Sequence, residues 1–304
     1  MIYDIVVLSA PGYLLAKEDS ILLQNVVRED QLVTNALGKE GLNVVRKSWD
    51  DPDFDWSTTK FALFRSTWDY IHRVTEFEDW LENASTKTQF INRKSLIYWN
   101  LDKHYLQDLK TEGVHIPKTV FIEKGTNSSL GNIWELAKRS HGFQGSTLIL
   151  KPCISGGARH TYKIESKTIH EYEEVFTSLI KNEAMMLQEF QKNIVAKGEI
   201  SLMVFNGEYT HAVLKVAKPG DFRVQDDFGG SVHEYHPSEA EIQFALKTVH
   251  AAPELPMYAR VDIFQDNYDQ LALAELEIFE PELWFRNNPD AAAVLAKHIK
   301  NKLF

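Results

Sequence analysis

Charged residues spaced two apart occur in two strand-like stretches near the end of the chain. One stretch contains Arg260 and Asp262, and the other contains Glu275 and Glu277. Alternate residues of a β-strand point to the same face. If the two stretches form a hairpin, three carboxylates and one guanidinium therefore lie together. Carboxylates this close raise one another's pKa unless a cation lies among them.

A solvated acidic strand face is the simpler interpretation of this pattern. The neighbours Leu273, Leu276 and Ile278 are strongly apolar, which favours buried strands, and unpaired charge is costly in such strands. Hard oxygen ligands suit Mg²⁺, which usually takes one or two carboxylates and completes its shell with substrate phosphates. The pattern therefore predicts a magnesium site at Asp262, Glu275 and Glu277.

A lysine at the end of an apolar strand is a second candidate. Lys151 follows Leu148–Leu150 and precedes a small-residue loop that contains Ser155, Gly156 and Gly157. Backbone N–H groups in such a loop can approach an anion closely, so the stretch suits phosphate contact. A solvated lysine is the alternative. The nearby Cys153 has no arranged base and is interpreted as a packing residue.

Two further segments could hold parts of a nucleotide. Gln188, Glu189 and Phe190 form an apolar strand edge whose main-chain groups could bind a flat ring, and Glu199 could accept ribose hydroxyls. Arg223 lies in a stretch with glycines on both sides, and its planar donor fork suits phosphate or carboxylate. None of these signals is specific alone.

The residues after the third predicted strand, 61–64, could grip a substrate. In open α/β sheets, ligands bind beyond the carboxyl ends of the strands. Arg65, Asp69, Tyr70 and Arg73 lie in this position. A surface turn around a packed Trp68 is the alternative.

The elements that must position these residues fall into three blocks, 1–95, 96–186 and 187–304. In the first block, apolar runs predict strands at 5–8, 42–45 and 61–64 and a helix at 29–39, an order typical of parallel α/β units. The second block combines predicted helices at 102–111, 130–140 and 169–180 with strands at 119–122, 147–150 and 162–164. The third predicts a hairpin at Asn206-Gly207, strands at 258–264 and 271–278, and helices at 244–250 and 290–300.

Composition excludes several classes of protein. The 304 residues carry a formal net charge of −10, which disfavours general binding to nucleic acid or to anionic membranes. No apolar stretch is long enough to span a bilayer, and the first apolar run is interpreted as a strand. A single cysteine fits a reducing compartment, so we expect a cytoplasmic protein. The P-loop, G-x-G-x-x-G, H-E-x-x-H, C-x-x-C and G-x-S-x-G patterns are absent.

Taken in order, these motifs resemble those of the ATP-grasp superfamily, most nearly its glutathione-synthetase-like branch. The likeness covers nearly the whole chain. It implies a three-domain ATP-grasp fold that is α+β in the ATP-grasp portion: a Rossmann-like α/β domain at 1–95, a central lid domain at 96–186 and a C-terminal domain with the metal site at 187–304. The implied cofactors are ATP and one or two Mg²⁺ ions, with Mn²⁺ as a substitute.

The resemblance also implies roles for individual residues. Asp262, Glu275 and Glu277 match the metal ligands, although an asparagine is usual in the position of Glu277. The implied catalytic cations are Arg223, Lys151 and Arg260. The implied nucleotide contacts are Lys103, Lys151, Ser155, Gly156, Gly157, Gln188, Glu189, Phe190 and Glu199. The implied substrate contacts are Arg65, Asp69, Tyr70, Arg73, Gly230 and Ser231.

A narrower likeness links the stretches at 65–70 and 220–223 to the cyclo-ligases that close O-ureido-D-serine into D-cycloserine. The implied reaction transfers the γ-phosphate of ATP to a carboxylate or amide-like oxygen of an amino-acid-like small molecule, after which a nitrogen displaces phosphate in a C–N bond-forming or ring-closing step. A homodimer is compatible with the sequence. The alternatives are an ATP-binding regulatory module without ligase activity and, less favoured because the protein-kinase motifs are absent, a sugar- or protein-modifying kinase.

Overall fold

The computed structural model describes residues 2–15, 17, 20–224 and 228–304. Three β-sheets with packed helices make up this part of the chain. Within it, every helix is too short or too polar to cross a lipid bilayer.

A four-stranded parallel sheet forms the N-terminal part, as the strand and helix order predicted. Its strands are β1 (Tyr3–Ser9), β2 (Val44–Ser48), β3 (Thr59–Ser66) and β4 (Gln89–Ile91), and they lie in the order β2-β1-β3-β4. The helices of this part are α1 (Ile21–Lys39) and α2 (Val74–Ser85). Helix α1 begins well before the predicted start at Glu29, because the Ser20 hydroxyl accepts the amide N–H of Leu23 and caps the first turn.

Two short helices lead into the second sheet. They are α3 (Lys94–Leu101), which the sequence analysis did not predict, and α4 (Tyr105–Thr111), which confirms the helix predicted at 102–111 but starts three residues later. The Asp102 carboxylate accepts the amide N–H of His104 at 3.0 Å, and this local bond competes with helix continuation. The interruption leaves Lys103 between the helices, where its amide N–H donates to the Cys153 carbonyl at 3.0 Å.

The second sheet is antiparallel and has its own apolar core. Its strands are β5 (Thr119–Ile122), β6 (Thr147–Pro152), β7 (Tyr162–Glu165) and β8 (Met185–Glu189), in the order β5-β8-β6-β7, and its helices are α5 (Leu130–Ser140) and α6 (Glu173–Ile180). The core beneath α5 and α6 is built from residues of this sheet and its helices. The expected domain boundary at 186 falls inside β8. The first part of the predicted helix at 169–180 is a 3₁₀ segment, Ser166–Tyr172.

The third sheet is a five-stranded antiparallel sheet. Its strands are β9 (Glu199–Phe205), β10 (Glu208–Val216), β11 (Ser231–Tyr235), β12 (Tyr258–Gln265) and β13 (Leu271–Glu277), in the order β11-β10-β9-β12-β13. The helices of this part are α7 (Lys192–Lys197), α8 (Glu239–His250) and α9 (Asp290–Leu303). The hairpin predicted at Asn206-Gly207 connects β9 and β10.

Buried contacts join the N-terminal and C-terminal parts. Residues of β1 and α1 share one apolar cluster with residues of β9 and α9. In addition, the buried carboxylate of Glu29 on α1 accepts the amide N–H groups of Phe285 at 2.8 Å and Arg286 at 2.7 Å. The loop that follows β13 is therefore fixed to the N-terminal part.

The side chain of Asn100, at the end of α3, is bonded to β13 on both of its polar atoms. Its Nδ2 donates to the Leu276 carbonyl at 2.7 Å, and its Oδ1 accepts the amide N–H of Ile278 at 3.0 Å.

We predict that Asn100→Ala lowers the free energy of unfolding by about 2–4 kcal/mol, because two buried main-chain groups lose their partners. Chemical denaturation measures this change. The surface variant Asn83→Ala is the control, and equal stability of the two variants would contradict the prediction.

Candidate active site

A cavity of about 650 Å³ lies where the three sheets meet. Most of the candidate residues line it, and they come from all three parts of the chain. These lining candidates are Asp69, Tyr70, Lys103, Lys151, Ser155, Gly156, Gly157, Gln188, Glu189, Phe190, Glu199, Arg223, Arg260, Asp262, Glu275 and Glu277.

The acidic strands form the hairpin that the spacing predicted. Strands β12 and β13 pair so that Asp262 faces Glu275 and Arg260 faces Glu277. Burial raises the pKa of Asp262, but attraction to Arg260 and then to Lys215 outweighs burial and leaves its pKa below the ordinary value. Three donors hold this carboxylate, namely the Ser201 hydroxyl at 2.5 Å, the Arg260 guanidinium at 2.8 Å and the Lys215 ammonium at 3.2 Å.

The two glutamates of β13 differ in their environments. The Glu275 carboxylate lies 3.2 Å from the Lys151 ammonium and 3.8 Å from that of Lys103. Burial raises the pKa of Glu275, but these lysines more than offset it, and the net pKa lies below its usual value. Glu277 bonds to Arg260 at 2.6 Å. This contact offsets burial only in part, so the pKa of Glu277 rises to about 7.

The donor chemistry of this trio fits a magnesium ion. All three side chains offer hard oxygen ligands. Burial is the main cause of the raised pKa of Glu277, and repulsion from Asp262 and Glu275 adds to it, so a bound cation would stabilise the ionised form. Among the described residues, the group whose potential ligand atoms all lie within 4.8 Å of one another is a different one. It consists of Asp102, His104 and Cys153. A local bond between Asp102 and His104 at 2.5 Å explains that proximity.

Lys215 is a site residue that the sequence analysis missed. Its buried ammonium lies 2.6 Å from Glu199 and 3.2 Å from Asp262. A regular two-residue hairpin would place Leu214 opposite Glu199, but the register shifts between Tyr209 and His211, and Lys215 takes that position. A lysine inside an apolar strand was the available signal. Glu199 therefore holds an ion pair here, besides lining the predicted ribose region.

The loop after β6 closes the cavity against the N-terminal part. The Lys103 ammonium donates to the Ser155 carbonyl at 2.6 Å. A Cβ added to Gly156 would lie 3.5 Å from the side chain of Ile71, and Gly157 has φ +55°. The Gly156 contact would be an ordinary one, whereas the positive φ of Gly157 is a backbone conformation that favours glycine.

The main chain at 188–190 is not a free strand edge, which corrects the sequence prediction. Strand β8 lies between β5 and β6. The amide N–H groups of Glu189 and Phe190 donate to Lys118 and Thr147 carbonyls at 3.1 Å each. The Glu189 carbonyl accepts the Gln191 side chain at 2.9 Å and keeps a second lone pair for a ligand.

Arg223 lines the cavity from the loop after β10. Its guanidinium donates to the Asp221 carboxylate at 2.7 Å and lies 3.8 Å from the centre of the Phe228 ring. The described lining includes Phe222 to Val224 but not Gly230 or Ser231. The Ser231 hydroxyl instead lies 2.9 Å from the His233 ring. These two candidates therefore do not contact the cavity.

Two arginines expected to grip a substrate lie outside the cavity lining. Arg65 is 2% exposed; it donates to the Pro281 carbonyl at 3.0 Å and lies 3.8 Å from the buried Asp30. Arg73 donates to Asp50 at 2.7 Å and to Asp69 at 3.0 Å. Both predictions are corrected because neither side chain lines the cavity and each guanidinium bonds to an internal partner. Asp69 and Tyr70 remain in the wall.

Comparisons with known proteins agree with this architecture. Residues 12–92 match the family model of the D-cycloserine synthetase DcsG N-terminal domain, and residues 137–278 match that of the RimK-like ATP-grasp domain. The chain is 27% identical over 267 residues to the cycloserine biosynthesis protein DcsG of Streptomyces lavendulae, with 84% of this chain and 87% of that protein covered.

Solved structures share the fold. The crystal structure of D-cycloserine synthetase DcsG superposes with a TM-score of 0.86 at 23% identity and covers 99% of both chains. The D-alanine–D-alanine ligase of Bacillus anthracis gives a TM-score of 0.65 at 17% identity, covering 98% and 96%. The ligase PsnB, solved with a phosphomimetic variant of its minimal precursor, Mg and ADP, gives 0.63 at 15% identity, covering 97% of each chain.

The fold and the family matches define the chain as an ATP-grasp ligase. It carries a RimK-like ATP-grasp domain and is related to DcsG. ATP-grasp ligases use ATP and Mg²⁺.

We predict that Lys215→Met destabilises the protein in a pH-dependent manner. Burial already raises the pKa of Glu199 above its ordinary value. Without this cation it rises further, and the pKa of Asp262 rises towards its unfolded value because Arg260 and the Ser201 hydroxyl alone then offset burial. A group with a raised pKa favours folding at low pH, and that stability is lost as the pH rises through the folded-state pKa. The deficit against wild type should be small near pH 5 and reach about 3–5 kcal/mol near pH 8. Denaturation at both pH values measures it. The exposed variant Lys60→Met is the control, and a pH-independent deficit would refute the prediction.

Proposed function

We propose that this ATP-grasp ligase activates a carboxylate of an amino-acid-like small molecule as an acyl phosphate and then forms a C–N bond, in the manner of the D-cycloserine-forming cyclo-ligases. One observation carries the proposal. The segment similar to the N-terminal domain of D-cycloserine synthetase contributes Trp68, Asp69 and Tyr70 to the same cavity as the charged cluster. The substrate end and the phosphate end of one site therefore share one cavity.

In the first step, an oxygen of the substrate carboxylate attacks the γ-phosphorus of ATP, and the bond to the ADP oxygen breaks. Phosphoryl transfer passes through a loose, highly charged transition state, so catalysis is mainly positioning and charge neutralisation. Lys103 and Lys151 turn from Glu275 towards the phosphates, and Arg223 approaches from its loop. Arg260 balances the negative charge at the reacting carboxylate.

The carboxylates of β12 and β13 hold the metal in this proposal. Asp262, Glu275 and Glu277 would bind one or two Mg²⁺ ions, with Mn²⁺ as a substitute. When bound, the metal neutralises and orients the phosphate oxygens. The chain's own contribution is to keep three oxygen donors on two paired strands.

In the second step, a substrate nitrogen attacks the acyl carbon, and the C–O bond to phosphate breaks with its electron pair on the phosphate. The loop at 155–157 excludes water from the cavity, which limits hydrolysis of the acyl phosphate. Attack by a nitrogen of the same molecule closes a ring, whereas attack by a second molecule gives a linear product. A homodimer remains part of the proposal.

Loss of a metal-binding carboxylate should stop turnover. We predict that Glu275→Gln lowers Mg-ATP-dependent ADP release by more than about a hundredfold, since even partners outside the ligand shell of a metal commonly cost ten- to a hundredfold. Coupled-enzyme detection of ADP measures this rate. Glu234→Gln, a carboxylate 75% exposed on β11, is the matched control, and full activity of Glu275→Gln would remove the trio from the metal site.

Loss of the strand-end lysine should weaken nucleotide binding. We predict that Lys151→Ala lowers affinity for a non-hydrolysable ATP analogue by about tenfold or more, because a hydrogen bond to a charged group contributes about 1.5–3 kcal/mol. Titration calorimetry in Mg²⁺ measures the affinity. The exposed variant Lys197→Ala should bind like wild type, and unchanged affinity of Lys151→Ala would place this lysine outside the nucleotide site.

The ligase proposal itself is tested by ADP and phosphate release from wild type with O-ureido-D-serine, free D- and L-amino acids and short peptides. We expect release with an amino-acid-like substrate and, by mass spectrometry, a ring-closed or linear C–N condensation product. Tight ATP binding without release on any of these substrates would favour the ATP-binding module instead.

A further inference from the structure

The cavity end formed by the N-terminal part is aromatic and acidic. Tyr13, Trp68 and Tyr70 line it together with Glu280. The rings of Tyr13 and Trp68 meet edge to face, with centroids 5.3 Å apart. With Arg65 and Arg73 outside the lining, this end does not have the guanidinium pair that would hold a carboxylate.

Two side chains of the N-terminal part hold Glu280 in place. The Tyr70 hydroxyl donates to Glu280 Oε1 at 2.8 Å, and Trp68 Nε1 donates to the Glu280 main-chain oxygen at 2.8 Å. The second carboxylate oxygen, Oε2, is shielded from solvent and has no hydrogen-bond partner in the described chain. A buried acceptor without a donor costs free energy, so a donor supplied by a ligand would be stabilising.

The cations near Glu280 bond to other partners, and attraction to Lys103 lowers the pKa of Glu280 without overcoming burial. Arg260 bonds to Asp262 and Glu277, and Lys103 bonds to the Ser155 carbonyl. Burial, and next the repulsion from Glu277, raise the pKa of Glu280 to about 8. Glu280 is therefore a buried carboxyl with a like charge nearby, and an added positive charge beside it would stabilise its ionised form. The faces of Trp and Tyr rings also attract cations.

We propose that Glu280, fixed by Tyr70 and Trp68, binds the ammonium group of the substrate. The inference rests on the proposed function and assigns the orientation of the substrate within it. The ammonium lies at the aromatic end, and the reacting carboxylate faces Arg260 and the phosphate-binding lysines. An amino acid with an acylated nitrogen would lose this contact, so Glu280 makes the site selective for free amino groups.

The test is equilibrium binding of two probes to the whole protein with ADP and Mg²⁺ present. D-serine carries the ammonium, and N-acetyl-D-serine lacks it. By titration calorimetry, wild type should bind D-serine at least about tenfold more tightly than the acetylated probe, the range expected for one charged hydrogen bond. Glu280→Gln keeps the shape of the side chain and should lose that preference. Tyr70→Phe should lose part of it, because Oε1 is no longer held.

Two controls make the result decisive. Glu208→Gln, in the exposed part of the β9–β10 hairpin, should keep wild-type affinity for D-serine. The affinity of Glu280→Gln for ADP should equal that of wild type, which shows that the variant is folded. Equal binding of both probes to wild type, no binding of D-serine, or unchanged preference in Glu280→Gln would each overturn the inference. The ADP-release assay decides the proposed function separately, since it does not depend on which group orients the substrate.

Discussion

The ion pairs around Asp262 constrain the rest of the molecule. Asp262 is 2% exposed, and it lies between Arg260, Lys215 and Ser201. Removing such charges from water costs several kcal/mol per ion unless close partners satisfy them. The alignment of strands β9, β10 and β12 therefore cannot slip without leaving a charge buried and unpaired. The same alignment presents Glu275 and Glu277 side by side to the cavity.

This cluster also explains how an acidic protein can bind a polyanion. The net charge of −10 describes the surface as a whole, whereas the cavity pairs its acids with lysines and arginines. Lys103 and Lys151 lie close to Glu275. In the proposed function a nucleotide phosphate and its metal would replace these contacts.

The two ends of the cavity have different chemistry because they come from different parts of the chain. The C-terminal sheet supplies ion pairs, and the N-terminal part supplies aromatic rings. The loop after β13 joins the two ends, since Glu29 on α1 holds the amides of Phe285 and Arg286. Substrate orientation therefore depends on packing between parts of the chain as well as on the ATP-grasp core.

The sequence by itself determined the three sheets, the β12–β13 hairpin and its acidic pairs. These follow from alternation, turn residues and apolar runs, which act over short distances. Motif order was enough to identify the ATP-grasp class, but not to place every site residue. Arg65 and Arg73 looked suited to a substrate because of their place after β3, yet Asp30, Asp50 and Asp69 occupy them.

Only the tertiary structure decided the positions that depend on register and long-range packing. A one-residue shift in the β9–β10 hairpin brings Lys215 instead of Leu214 opposite Glu199. The partners of Glu280 come from Trp68 and Tyr70, which lie far from it in sequence. A local pattern carries no information about such contacts, because they are fixed by how separate elements pack.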